Sequence, residues 1–189
     1  MTLKKLNDYQ LKDKRVLVRV DLNVPLENGK IADSSRIERI LPTIRKILDN
    51  GGKPILMSHF GRPKGLRDPS LSLERLIPSL SKILGCAIKF SRNIIGPDAL
   101  EKSKSLEGNE ILLLENTRFH QEEEENELKF SEELSNLGDI YCNDAFSAAH
   151  RAHASTVGVA QFIPNCIGLL MSEELNVLET VLGDPKRPV

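Results

Sequence analysis

The chain alternates between short apolar runs and longer stretches in which apolar residues recur every three or four positions. Val16-Leu17-Val18-Arg19-Val20 reads as a strand, as do Lys53-Pro54-Ile55-Leu56-Met57, Cys86-Ala87-Ile88-Lys89-Phe90, Ile111-Leu112-Leu113-Leu114 and Ile140-Tyr141-Cys142. Between the first two, Ile37, Ile40, Leu41, Ile44, Ile47 and Leu48 mark a helix; Ser34-Ser35 can cap its start, Pro42 disturbs its early turns and Gly51-Gly52 stops it. Leu73, Leu76, Ile77, Leu80, Ile83 and Leu84 predict a helix ending at Gly85, and a short helix is expected from Asp98 to Lys104. Gln121 to Leu137 reads as one longer helix. Its opening acids, Glu122 to Glu125, suit the positive end of the helix dipole and read as a solvated face. Met171, Leu175, Leu178 and Leu182 give a last helical pattern. Strand and helix alternating at this spacing predict βαβ units, hence an α/β fold: a three-layer parallel sheet with helices on both faces. No internal repeat or low-complexity segment interrupts it.

Composition narrows the class. A chain of 189 residues suits one domain or two small ones, and 40% hydrophobic content is too high for a disordered chain. Lys plus Arg (26) nearly equals Asp plus Glu (27), so the net charge of −1 lacks the basic surplus of a general nucleic-acid binder. Aromatic content of 4% and the absence of Trp leave few platforms for stacking on single strands. Cys86, Cys142 and Cys166 are odd in number and far apart, which reads as free thiols in a reducing compartment. No apolar run approaches the length of a membrane span, and the first residues lack the apolar core of a signal peptide. The expectation is a cytoplasmic protein with neither membrane nor nucleic-acid partner.

Chemistry collects behind the strands. Asp21-Leu22-Asn23-Val24-Pro25 follows the first, Ser58-His59-Phe60-Gly61-Arg62-Pro63 the second, Glu115-Asn116-Thr117-Arg118-Phe119-His120 the Ile111 run, and Asn143-Asp144-Ala145-Phe146 then His150-Arg151-Ala152-His153 the Ile140 run. In open parallel sheets ligands bind beyond the carboxyl ends of the strands, so these groups are expected on one rim. His59, Arg62, Arg118, Arg151 and Arg36 would supply cations for a small polyanion, since guanidinium grips phosphate or carboxylate through paired hydrogen bonds. Asp21 and Asn23 suit a substrate hydroxyl. Singly, each has a structural explanation: a strand-end Asp forms turns, and a lone Arg pairs with one carboxylate. His150 and His153 are spaced i,i+3 without neighbouring carboxylate ligands, a weak metal signal, and histidines beside a phosphate site explain them more simply; no metal is expected. Neither a G-x-x-x-x-G-K-[ST] loop nor a G-x-G-x-x-G turn is present, so the chain offers an anion site but no nucleotide cradle.

The stretches Arg19 to Pro25, Met57 to Gly65, Leu114 to His120, and Asn143 to Phe146 with Ala149 to Ser155 resemble phosphoglycerate kinase, in that family's order. The resemblance spans essentially the whole chain but only the N-terminal half of that enzyme. It implies a Rossmann-like domain that binds 3-phosphoglycerate or 1,3-bisphosphoglycerate over residues 1–170. Residues 171–189 would form the interdomain helix and the start of a linker to a C-terminal domain absent from this chain. That domain would bind magnesium with ATP or ADP, so neither cofactor is expected here. By resemblance, Asp21 and Asn23 hold the hydroxyl region, and His59, Arg62, Arg118 and Arg151 grip the non-transferred phosphate. Arg36 meets the transferring phosphoryl as the catalytic cation, and His150 and His153 lie nearby. Phe60 stands where the family often has Leu, and Ser147 where Gly is common. The implied enzyme is a monomeric, cytoplasmic glycolytic kinase, and the chain alone is expected to bind 3-phosphoglycerate without turning it over. A stand-alone phosphometabolite-binding module is the other reading.

Overall fold

The computed structural model describes residues 3–27 and 30–183. In chain order the strands are β1 (Arg15–Arg19), β2 (Leu26–Glu27), β3 (Lys30–Ile31), β4 (Lys53–Met57), β5 (Ala87–Ser91), β6 (Glu110–Leu114), β7 (Ile140–Asn143) and β8 (Asn165–Ile167). The helices are α1 (Ser35–Asp49), α2 (Ile77–Leu84), α3 (Pro97–Lys104), α4 (Gln121–Glu124), α5 (Leu128–Ser135) and α6 (Leu169–Gly183). Six strands form one parallel sheet in the order β5-β6-β4-β1-β7-β8, and β2 and β3 make a small antiparallel hairpin. The expected three-layer α/β architecture is therefore present. From β1 the chain goes to β4 and then to β5 at the edge, inserts β6 between those two, and crosses back to place β7 on the other side of β1. The crevice between β1 and β7 is thus the point where strand order reverses, the place where such sheets receive ligands.

Side-chain alternation in β1 divides the core. Val16 and Val18 pack with Ile37, Ile40, Ile44 and Ile47 of α1 and Leu80 and Leu84 of α2. Leu17 points the other way, into Ile55, Met57, Ala99 of α3, Phe130 and Leu134 of α5, and Ala154. Arg19, two residues on, shares the face of Leu17 and is also buried. Helix α1 runs through Pro42, whose missing amide leaves the Glu38 carbonyl without its usual donor.

Several expectations are corrected. The helix over Leu73 to Leu84 opens as a 3₁₀ turn (Leu73–Leu76) before α2, because Pro78 lacks the amide that would continue an α ladder backward. The single helix over Gln121 to Leu137 is two, α4 and α5. Asn126 turns into the left-handed region (φ 53°), and the Glu127 carboxylate caps the amides of Lys129 and Phe130 to start the second. The acidic run is not wholly solvated: Glu122, Glu124 and Glu125 are exposed, but Glu123 is 1% exposed. Strand β8 and the β2–β3 hairpin are too short to show a period. The last helix runs Leu169–Gly183, and the end of the segment 171–189 expected to connect two domains lies outside the described residues from 184 on.

Leu17 is fully buried in the central strand with neighbours on α5 and β4. Leu17→Ala is expected to cost about 3 kcal/mol or more, read from the midpoint and slope of urea unfolding.

Candidate functional site

Four loops at the carboxyl edge are stitched to one another by buried polar groups. Ser58, at the end of β4, accepts the Leu22 amide at 2.9 Å, which fixes the loop after β1 against the loop after β4. Asn116, fully buried behind β6, accepts from the amides of Phe60 and Arg118, both at 3.1 Å, and donates to the carbonyls of Phe60 (2.7 Å) and Leu71 (3.0 Å). One amide side chain thus spends all its hydrogen-bonding capacity joining the His59 loop to the Arg118 loop. Phe60 is buried beside it, so the bulkier ring is accommodated within the core.

On this frame the expected residues fall into neighbouring groups. The Asn23 side-chain oxygen accepts the Gly61 amide at 3.0 Å, and Arg118 Nη1 donates to the Gly61 carbonyl at 2.9 Å, so Gly61 ties the two together. Gly61 has φ 63°, a left-handed conformation that favours glycine, and a Cβ there would push aside the end of the Leu71 side chain. Arg118 is 4% exposed, and its Nε lies 3.4 Å from Glu124 Oε1. Asp21 pairs with Arg36 and accepts the Ser147 hydroxyl at 2.7 Å, which bridges the β1 and β7 ends across the crevice. A cavity of ≈ 170 Å³ lies there, lined by Asp21, Arg36, Arg39, Ser147 and Glu174 among others. Arg62 is exposed next to Gly61.

His59 belongs with Arg19, which the motif reading left outside the site. Arg19 Nη2 lies 3.0 Å from His59 Nδ1, and the charges of Asp21, Arg151 and His153 all act on the imidazole. Burial, reinforced by the Arg19 charge, lowers the His59 pKa from 6.5 to about 4, so the ring is neutral near pH 7. Burial also lowers the Arg19 pKa, opposed chiefly by Glu123. Arg151 is half-buried with its Nε 3.3 Å from Nε2 of the exposed His150. Half-buried His153 has Nδ1 3.9 Å from Glu123 Oε1; burial lowers its pKa while Glu123 pulls the other way. The two histidines therefore lie on different neighbours, and they do not form a pair. Among the described residues no group of three or more His, Cys, Asp or Glu is placed to hold a metal ion. The three cysteines are free and buried.

Arg19, Glu123 and Asn116 are thus parts of the site that motif reading did not assign. A signal existed for Arg19, an arginine at an inward position of an otherwise apolar strand. Glu123 carried none, since its three acidic neighbours are exposed.

The fold and this rim define an α/β protein with a cation-rich rim at the carboxyl edge of a parallel sheet. The family model described as phosphoglycerate kinase matches residues 6–189, and the chain belongs to that family. It is 52% identical over its full length to the phosphoglycerate kinase of Ruegeria pomeroyi and 53% identical over 184 residues to that of Bradyrhizobium diazoefficiens. These alignments cover 48% and 46% of the relatives, so the chain spans about half the length of the curated relatives it matches. The phosphoglycerate kinase structure from Coxiella burnetii superimposes with a TM-score of 0.85 at 36% identity, covering 99% of this chain and 47% of that one. That from Pyrococcus horikoshii gives 0.86 at 33%, covering 97% and 47%.

A neutral, half-buried histidine has a consequence for acid stability. The unfolded chain takes up a proton near pH 6.5 while folded His59 does so only near pH 4. Its contribution is complete above the unfolded value and is lost as pH falls from 6.5 toward 4, by a total of about 3 kcal/mol. His59→Gln is expected to flatten the stability profile across that window in urea titrations at stepped pH; an unchanged slope would refute the assignment.

Proposed function

We propose that this chain is the substrate-binding half of a phosphoglycerate kinase, whose whole enzyme moves a phosphoryl group reversibly between 1,3-bisphosphoglycerate and ADP, giving 3-phosphoglycerate and ATP. The observation that carries the reading is the convergence of Asp21, Asn23, His59, Arg118 and Arg151 behind four strands of a chain that belongs to this family. Under this reading His59, Arg62, Arg118 and Arg151, with His150 and His153 nearby, receive the non-transferred phosphate. Asp21 and Asn23 serve the hydroxyl region, and Arg36 is the cation that meets the transferring group. Asp21 holds Arg36 at the mouth of the crevice, which pre-positions a flexible side chain before ligand arrives.

The chemistry suits such a rim. Phosphoryl transfer spreads charge over the equatorial oxygens, so positioned cations do most of the work, and an acceptor that is already a carboxylate needs no base. Magnesium with ADP or ATP would supply the phosphoryl donor or acceptor and neutralise its charge in the whole enzyme. We assign the binding of that group to a second domain. Residues 1–170 would be the substrate domain and the segment from 171 the connection to its partner. Helix α6 fits that part: Val177, Leu178, Val181 and Leu182 are exposed on it. No helix among the described residues is long and apolar enough to cross a membrane. On family membership, we place the whole enzyme in the cytoplasm as a monomer.

Calorimetric titration with 3-phosphoglycerate is expected to give saturable binding, with no ATP-dependent turnover by this chain alone. Arg151→Ala should weaken binding about tenfold or more, the scale of one charge-assisted hydrogen bond, and by less in high salt. Absence of binding at millimolar ligand by a folded chain would overturn the substrate assignment, and turnover would overturn the division between halves.

A further inference from the structure

Beneath the cationic rim lies an acid that none of the proposed ligand contacts uses. Glu123 is 1% exposed and accepts the Ser155 amide through Oε2 at 2.8 Å and the Ser155 hydroxyl through Oε1. The Ser155 hydroxyl oxygen in turn accepts Arg19 Nε at 3.0 Å, and the Ser155 carbonyl accepts the Tyr141 hydroxyl at 3.0 Å. Both donors of Ser155, its amide and its hydroxyl, are therefore directed at Glu123. Ser155 sits in a single π-turn (Ala154–Gly158) directly after His153, an irregularity that aims its amide at the carboxylate. Arg19 places its remaining nitrogens on the Val20 carbonyl and on His59 Nδ1.

This last contact is directional. A guanidinium has donors only, so His59 Nδ1 must accept and the proton of the neutral ring must sit on Nε2. We propose that Glu123 is a positioning residue for the anion site: through Ser155 it orients Arg19, and Arg19 locks His59 in the tautomer whose Nε2–H is free to donate to a phosphoryl oxygen. The proposal rests on the substrate reading above for the identity of the ligand, but not for the tautomer. Glu123 also supplies negative charge that opposes the cost of burying the Arg19 guanidinium. It acts from behind the site and touches no ligand.

Two substitutions attack the relay at different links. Glu123→Gln keeps the shape but leaves either the Ser155 amide or its hydroxyl proton without an acceptor. Ser155→Ala keeps both charges and removes the bridge. Long-range ¹H–¹⁵N NMR of the His59 ring is expected to show the Nε2–H tautomer in the unaltered chain and a mixture of tautomers in both variants. Affinity for 3-phosphoglycerate should fall about tenfold in each, the loss expected when a charge-assisted hydrogen bond is misdirected. Combining the two should add little to either, because they break one chain of contacts. Glu122→Gln, at an exposed neighbour, should change neither readout. An unchanged tautomer and affinity in either variant that retains its amide spectrum would overturn the proposal. If the unaltered chain binds no 3-phosphoglycerate yet the tautomer shifts as expected, the relay stands and the substrate reading falls. Should Glu123→Gln fail to fold, Ser155→Ala decides alone.

Discussion

A guanidinium is buried at the end of the central strand, and much of the site is arranged around the cost of keeping it there. Arg19 gives up its water, and nothing apolar can compensate a charge in that position. Besides the carbonyl of the next residue, Val20, the compensation comes from elements distant in sequence: a carboxylate on α4, a serine in the turn after His153 and an imidazole after β4. Each partner must be held in place for the charge to be tolerated. The packing of α4 and of the π-turn is therefore tied to the electrostatics of the rim. A buried ion cluster of this kind is a poor source of net stability, since desolvation offsets most of the attraction, but it is a strong source of geometry.

The rim shows a second use of buried polarity. Asn116 and Ser58 make no contribution that composition or charge would reveal, yet they fix the separation of the loops that carry Asn23, His59 and Arg118. Loops held by fully satisfied hydrogen bonds lose little further entropy when a ligand arrives. Asp144 makes a further link after β7, although its Oδ2 is buried without a hydrogen-bond partner. It is fully buried, accepts the Met171 amide at 3.0 Å and has its carboxyl raised above the usual range by burial. Gly168 passes so close that a Cβ would sit 2.2 Å from Asp144 Oδ1. The rim loop after β7 and the first turn of α6 are in this way one piece.

Periodicity found the strands and helices whose apolar residues face a single layer, because burial on one side is what writes the period. It merged α4 with α5 since the acids and apolar residues continue in helical phase across Asn126, and only the backbone angle of that residue breaks them. The 3₁₀ opening before α2 was hidden for a similar reason: Leu73 and Leu76 keep helical phase in either geometry. The site was legible where side chains of a recognisable kind cluster behind a strand. It was illegible where the function of a residue depends on what faces it across the sheet. Glu123 differs from Glu122 and Glu124 only in pointing inward, and Ser155 differs from other serines only in its turn.

The strand order also sets a schedule for the chain's birth. Val16 pairs with Pro54 on one side and with Ile140 on the other, so half of the central strand's partners lie 124 residues downstream. At a synthesis rate of 5–20 residues per second, β1 is made roughly 6 to 25 seconds before its second neighbour exists. Through that interval one edge of the central strand carries unsatisfied amides and carbonyls, and for most of it the Arg19 charge lacks the acid that balances it. An arginine near the end of an otherwise sticky edge discourages pairing with the wrong chain while the right partner is still being made. The residue that is hardest to bury in the finished protein is thus also a guard on the unfinished one.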